Sequence, residues 1–129
     1  MATVTMDEET FGDTVQNNDM VLIDFWAEWC GPCRMFGPVY DKVSQDFPDV
    51  VFGKVDTEAQ QGLGAAFNIT SIPTLMAIRQ GVVLFSQAGA LPEPELRKLV
   101  TALQEIDMDE VRAKIAEQQA AEQPDASSD

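Results

Sequence analysis

The two cysteines of this sequence are the residues best suited to do chemistry. Cys30 and Cys33 enclose Gly31 and Pro32 and follow closely on residues 21–26, an apolar segment typical of a buried strand. With this spacing, at the opening turn of a helix, two sulfurs can come close enough to form a disulfide. The closed loop constrains the unfolded chain little, which favours a chemical use of the bond over a purely structural one. The pair therefore predicts reversible dithiol–disulfide exchange.

Half of a zinc site is the other common use of a Cys-x-x-Cys pair. A structural zinc ion normally takes four Cys or His ligands, but the sequence has two cysteines and no histidine. The composition therefore argues against a metal. A redox pair also benefits from a helix N-terminus, where free N–H groups and the positive end of the helix dipole favour a thiolate.

One carboxyl interrupts the apolar strand that leads to the cysteines. In an extended strand Asp24 shares a face with Leu22 and Trp26, while the residues between them share the other face. A carboxyl between apolar neighbours loses hydration, which raises its pKa and suits it to proton transfer. The alternative is an edge strand on which Asp24 faces water, and the unbroken apolar neighbours argue against it.

The composition narrows the class of protein. The chain has 129 residues and a net charge of −14, which fits one acidic globular domain and disfavours nucleic acid or an anionic membrane as a partner. The first basic residue is Arg34, so we expect no positively charged secretion leader, and no apolar run is long enough to span a membrane. We therefore expect a cytoplasmic protein.

Two strands and the helix between them should position the cysteines. Residues 21–26 and 50–56 read as strands, and residues 34–47 carry apolar side chains at helical spacing. Such a unit predicts parallel strands with a right-handed crossover. The other predicted elements are a strand over residues 2–5, helices over 7–16, over 59–67 and from Pro92 onward, and a hairpin of strands 75–79 and 82–87 joined at Gln80 and Gly81.

The segment from Asp24 to Cys33, DFWAEWCGPC, resembles the active-site segment of the thioredoxin family, and the resemblance covers about residues 1–104. It implies an α/β thioredoxin fold, a central mixed five-stranded sheet flanked by helices, to which this chain adds a C-terminal helix. It also implies a monomeric reductant of disulfide-containing proteins that receives electrons from NADPH through a separate thioredoxin reductase. We expect no bound cofactor, because the sequence has neither a dinucleotide fingerprint nor a phosphate-binding loop.

The extension beyond the family pattern divides the chain into a thioredoxin domain, residues 1–106, and an acidic region, residues 107–129. A capping pattern at Asp107 predicts a helix from Met108 to about Ala121, and the polar residues from Glu122 onward predict a disordered tail. The extension is either a solvated addition or a docking segment.

The resemblance implies a role for each residue around the cysteines. Cys30, expected to be the more exposed sulfur, attacks a substrate disulfide, and the more buried Cys33 resolves the mixed disulfide. Asp24 takes the proton of Cys33 through a water. Lys54 corresponds to a lysine that lies near the aspartate and modulates this transfer, unless its side chain simply reaches solvent.

The expected substrate surface combines the cysteine loop with two later segments. Ile72-Pro73-Thr74 resembles the family's cis-proline loop, so Pro73 is expected to be cis and Ile72 to offer backbone groups to an extended substrate. A small-residue segment at Gly89 would allow close approach, unless it is an ordinary turn. The residues expected at this surface are Trp29, Gly31, Pro32, Ile72, Pro73, Gly89 and Ala90.

Two rival functions remain open at the level of sequence. A binding module could use the same apolar surface without turnover, although the intact cysteine pair argues against it. A secreted oxidant or isomerase would need an export signal. The neutral pair Gly31-Pro32 and the nearby acids Glu28 and Asp24 stabilise a thiolate weakly, which favours a reductant.

Overall fold

The computed structural model describes residues 3–122, which form five strands and five helices. In chain order these are β1 (Thr3–Thr5), α1 (Phe11–Asn17), β2 (Met20–Trp26), α2 (Gly31–Ser44), β3 (Val51–Asp56), α3 (Gln61–Ala66), β4 (Thr74–Arg79), β5 (Val82–Ala88), α4 (Glu93–Glu105) and α5 (Met108–Glu122).

The strands form one mixed sheet in the order β1-β3-β2-β4-β5, so β2 lies at its centre. β3 pairs in parallel with β1 and β2, whereas β4 pairs antiparallel with β2 and β5. The predicted crossover unit and the hairpin at Gln80 and Gly81 are therefore confirmed, and both turn residues have positive φ, 52° and 80°. The expected five-stranded mixed sheet with an added C-terminal helix is correct.

The side chains on the two faces of β2 pack into two separate hydrophobic clusters, as the period-two pattern of the strand predicts. Leu22 belongs to a cluster formed with α2 and α4, and Val21, Ile23 and Phe25 belong to a second cluster on the opposite face, with Met6 and Leu63. Because both faces are covered by helices, the central strand is apolar almost throughout. Asp24 is the exception, and it is buried on the α2 side.

The only tyrosine of the sequence lies in the core beside β3. Tyr40 is fully buried, packs against the rings of Phe36 and Phe52, and donates its hydroxyl hydrogen to the Gly53 carbonyl at 2.8 Å. Gly53 allows a second close approach, since a Cβ atom there would collide with the Met6 side chain on the other face. β3 is thus packed tightly on both sides.

Two helices, α2 and α1, have boundaries that differ from the prediction by three residues or more, for local reasons. α2 begins at Gly31, because Cys30 caps it, and ends at Ser44 rather than near Phe47. Its end tightens into i to i−3 hydrogen bonds, such as Phe47 N–H to the Ser44 carbonyl at 3.3 Å. α1 begins at Phe11 rather than just after Asp7, because the Asp7 carboxylate accepts the Thr10 N–H at 2.8 Å and forms a separate turn first.

Arg79 ties the C-terminal helices to the end of the sheet opposite the cysteines. Its Nη1 donates to the carbonyl oxygens of Leu103, Gln104 and Ile106 at 3.0, 3.1 and 2.8 Å, and its Nε pairs with Asp19 at 3.0 Å. These bonds satisfy carbonyls that the end of α4 leaves free.

α5 starts at Met108 as predicted, behind an Asp107 carboxylate that accepts the N–H groups of Asp109 and Glu110 at 2.9 and 3.3 Å. Met108 is buried, and Arg112 bonds to Gln80 of the hairpin turn. The predicted disordered tail lies, apart from Glu122, outside the described residues. Within residues 3–122, no helix has the length and apolar character needed to cross a membrane.

Candidate active site

The cysteine pair occupies the junction that the sequence predicts, between the end of β2 and the start of α2. Cys30 and Cys33 are joined in a disulfide with their Cα atoms 5.2 Å apart. Cys30 is the N-cap residue of α2, and its Sγ accepts the backbone N–H of Cys33 at 3.2 Å. A donor aimed at this sulfur, together with the helix dipole, favours negative charge on Cys30 when the pair is reduced.

The expectation that Cys30 is the more exposed sulfur is wrong for the disulfide form. Both cysteine residues are only 4% exposed. The reason is a long-range contact, because the Ile72 carbonyl oxygen lies 3.7 Å from Cys30 Sγ and covers it. Cys33 instead lines a cavity of about 480 Å³ between α2 and β3. The two cysteine residues are therefore equally buried and differ in what they face.

Asp24 is the buried carboxyl that the sequence indicates. It is 0% exposed on the central strand, so the edge-strand alternative is excluded. Neither of its carboxyl oxygens has a hydrogen-bond partner within the described residues. Burial raises the pKa of Asp24 to about 7, while the positive charge of Lys54 acts in the opposite direction. The carboxyl can therefore gain or lose a proton near neutral pH.

Lys54 lies beside Asp24, as the resemblance implies. The two residues are register partners on the parallel strands β3 and β2. The Lys54 ammonium lies 4.9 Å from the centre of the Trp26 ring and lines the same cavity as Cys33. Its side chain is half-buried and does not simply extend into solvent.

The proline loop reaches the cysteines from the other side of the site. The Ile72–Pro73 peptide bond is cis, Pro73 is buried, and Thr74 begins β4. Gly89 has a φ of 110° and donates its N–H to the Pro73 carbonyl at 2.8 Å, so its segment lies against the proline loop. Ala90 follows at an exposed position.

Sequence reasoning missed the partner of Trp29. This indole is 65% exposed, and its Nε1 donates to the carboxylate of Glu58 at 2.8 Å. Glu58 follows closely on Asp56, the last residue of β3, at the same end of the sheet as the cysteines. The position of Glu58 just after β3 was the signal in the sequence from which this contact could have been predicted. No structural role was predicted for Arg34, whose Nε donates to the Glu28 carbonyl at 2.8 Å and braces the loop before Cys30.

Metal binding has no support in this region. Within residues 3–122, no three Cys, His, Asp or Glu side chains are grouped as a metal site would require. The arrangement consists of a disulfide at a helix N-terminus, a buried carboxyl and a proline loop. It can carry out thiol–disulfide exchange and accept a proton.

Comparisons with known proteins agree with this chemistry. The family model described as Thioredoxin matches residues 2–105. A Streptomyces coelicolor protein described as a thioredoxin is 58% identical over 119 residues, which is 92% of this chain and 89% of that protein. Thioredoxin C-3 of Corynebacterium nephridii is 45% identical over 74% of this chain and 66% of its own length.

A solved mutant thioredoxin from Halobacterium salinarum superposes with a TM-score of 0.75, at 29% identity, and covers 81% of this chain and 93% of its own. A Plasmodium falciparum thioredoxin gives a TM-score of 0.73 at 31% identity, over 78% of this chain and 98% of its own.

Proposed function

The chain belongs to the thioredoxin family of thiol–disulfide oxidoreductases, and from this premise we propose that it reduces protein disulfides with Cys30 as nucleophile and Cys33 as resolving thiol. The hydrogen bond from the Cys33 N–H to Cys30 Sγ is the observation that carries this assignment. This hydrogen bond stabilises a thiolate at Cys30. It gives no such stabilisation to a thiolate at Cys33.

The proposed reaction transfers two electrons in two exchange steps. The Cys30 thiolate attacks one sulfur of the substrate disulfide, a mixed disulfide forms, and the other substrate sulfur leaves as a thiolate. Cys33 then loses its proton and attacks Cys30 Sγ. The second substrate sulfur leaves, and the Cys30–Cys33 disulfide remains. The substrate is reduced, and the cysteine pair is oxidised.

Asp24 is the proposed acceptor of the Cys33 proton, through a water. Two observations support this role: the carboxyl is buried without a hydrogen-bond partner, and its pKa is about 7. A base with a pKa near the working pH transfers protons most effectively. Lys54 is the proposed modulator, since its charge favours the ionised carboxylate.

The substrate is proposed to bind as an extended segment across the proline loop. The Ile72 carbonyl, 3.7 Å from Cys30 Sγ, is placed to accept a backbone hydrogen bond from the residue beside the attacked cysteine. The proposed contact surface consists of Trp29, Gly31, Pro32, Ile72, Pro73, Gly89 and Ala90.

Electrons are proposed to come from NADPH through a separate thioredoxin reductase, in the reducing environment of the cytoplasm. A net charge of −14 supports a protein without nucleic-acid or membrane partners, which we propose to be a monomer. The domain is proposed to end near residue 106, with residues 107–129 as an acidic addition.

Trapping of the mixed disulfide tests the order of attack. Cys33→Ser should accumulate a covalent complex between Cys30 and a protein disulfide substrate, whereas Cys30→Ser should accumulate none. The two variants differ only in which sulfur remains, so they are matched controls. Complexes formed through Cys33 alone would reverse the assignment. NADPH consumption with a thioredoxin reductase and a protein disulfide tests turnover, and no consumption above the Cys30→Ser background would refute the reductase function.

A further inference from the structure

We propose that the groove beside the disulfide selects substrates that carry a lysine or arginine close to the attacked cysteine, and that Glu58 is the residue that recognises this charge. The inference rests on the proposed function, because it names the substrate class of the same site. It concerns the recognition of the substrate and leaves the exchange chemistry unchanged.

The groove has a volume of about 400 Å³ and is lined in part by Ile72, whose carbonyl oxygen lies 3.7 Å from Cys30 Sγ. Ile72 therefore connects the groove with the attacked sulfur, which its carbonyl covers. A substrate segment that places its cysteine at Cys30 can therefore continue into the groove. The residues that line it are Trp29, Thr57, Gln61, Gly64, Ala65, Ile69, Thr70, Ser71 and Ile72, among which there is no lysine or arginine.

One carboxylate is held at the border of this groove by specific hydrogen bonds. Glu58 Oε1 accepts the indole N–H of Trp29, which lines the groove, at 2.8 Å, and the Glu58 backbone N–H donates to Asp56 Oδ1 at 2.9 Å. α3 supplies one wall of the groove. The fold thus keeps negative charge at the border of an otherwise uncharged groove.

The basic residues near the disulfide lie on its other side. Arg34 and Lys54 line the cavity that contains Cys33, where Arg34 is bonded to the Glu28 carbonyl and Lys54 lies over the Trp26 ring. That cavity is also lined by Glu28 and Asp41, so its charges balance, whereas the groove has Glu58 at its border and no basic lining residue. Charge complementarity assigns the groove to an extended segment with a cationic side chain, whose aliphatic stem can pack on the exposed Trp29 indole.

The expected preference is modest because the Glu58 carboxylate is exposed. An exposed ion pair changes an equilibrium or an encounter rate by roughly two- to fivefold. Salt should weaken the preference, since the screening length shrinks from about 10 Å at 0.1 M to about 3 Å at 1 M ionic strength.

Disulfide peptides that differ at one position test the proposal. Each peptide carries Lys, Gln or Glu two residues from the attacked cysteine, on either side in separate peptides, and kcat/KM is measured for the full-length chain. We expect the Lys peptide to exceed the Gln peptide by roughly two- to fivefold on at least one side, and the Glu peptide to fall below both.

The variants Glu58→Gln and Glu105→Gln distinguish the effect of the charge at the groove from the effect of the protein's net charge. Both remove one negative charge, but Glu58→Gln retains an oxygen that can accept the Trp29 indole N–H, and Glu105 lies at the distant end of α4. Glu58→Gln should lose most of the Lys preference, and Glu105→Gln should retain it.

Equal kcat/KM for the three peptides, or a preference that survives in Glu58→Gln, would overturn the recognition proposal and leave the reductase function intact. If no peptide is reduced at all, the proposed function itself fails.

Discussion

The buried carboxyl of Asp24 makes the stability of the oxidised protein depend on pH in the direction opposite to that of a salt-bridged surface acid. An aspartate in the unfolded chain has a pKa of about 3.9, whereas burial raises the pKa of Asp24 in the folded protein to about 7. Between these values the folded state holds a proton that the unfolded state has lost. The free energy of unfolding therefore falls as pH rises through this window.

The size of the effect follows from the gap between the two pKa values. A gap of about three units, at about 1.36 kcal/mol per unit, costs about 4 kcal/mol once the pH exceeds the folded pKa. The cost is absent below about pH 4 and nearly complete by about pH 8. The sequence contains no histidine, so no imidazole titrates in the upper part of this window.

Urea unfolding of the disulfide form, followed by tryptophan fluorescence from about pH 4 to about pH 8, measures the effect. The Asp24→Asn side chain cannot ionise. The free energy of unfolding of this variant, relative to that of the natural protein, should therefore increase by about 4 kcal/mol as the pH rises across the series. Burial of the amide also changes the free energy of unfolding, but by an amount that does not vary with pH. Asp49→Asn, at an exposed position, is the matched control and should show no such growth. A difference between Asp24→Asn and the natural protein that stays constant with pH would refute the reasoning.

Three further substitutions test neighbouring contacts. Lys54→Gln removes the charge that favours ionised Asp24, so the pKa of Asp24 rises further and the fall in stability moves to higher pH in the same urea series; an unchanged position would contradict this. Arg79→Ala removes three hydrogen bonds to the end of α4 and should lower the free energy of unfolding by roughly 1–3 kcal/mol, with faster amide exchange in α5. Gly53→Ala forces a methyl group against Met6 and should cost about 1–3 kcal/mol by urea titration; a neutral result would mean that Met6 moves aside freely.

Local patterns were sufficient to predict most of the strands and helices, whereas the five-stranded mixed sheet was implied by the family resemblance. Alternation along residues 20–26 identifies a strand with two covered faces, and the position of Asp24 between apolar neighbours predicts its burial. The cysteine spacing predicts a disulfide at a helix start, where the structure has it. These features depend on neighbours within a few residues, so the sequence contains the relevant information directly.

Features that depend on distant residues were missed. Ile72, 42 residues from Cys30, covers that sulfur and removes the expected difference in exposure between the cysteines. Trp29 and Glu58, 29 residues apart, meet only because β2 and β3 end side by side. The end of α2 was misplaced because apolar periodicity continues to Phe47 while the backbone tightens after Ser44. In each case the outcome depends on loop geometry that periodicity does not contain.

The isolation of Tyr40 gives the protein a built-in chemical reporter. Reagents that nitrate or iodinate phenols have one target ring in this chain, and that ring is fully enclosed while its hydroxyl is bound to the Gly53 carbonyl. Such reagents can react only during moments when α2 separates from the sheet. The rate of modification at Tyr40 in the disulfide form therefore measures how often this part of the core opens.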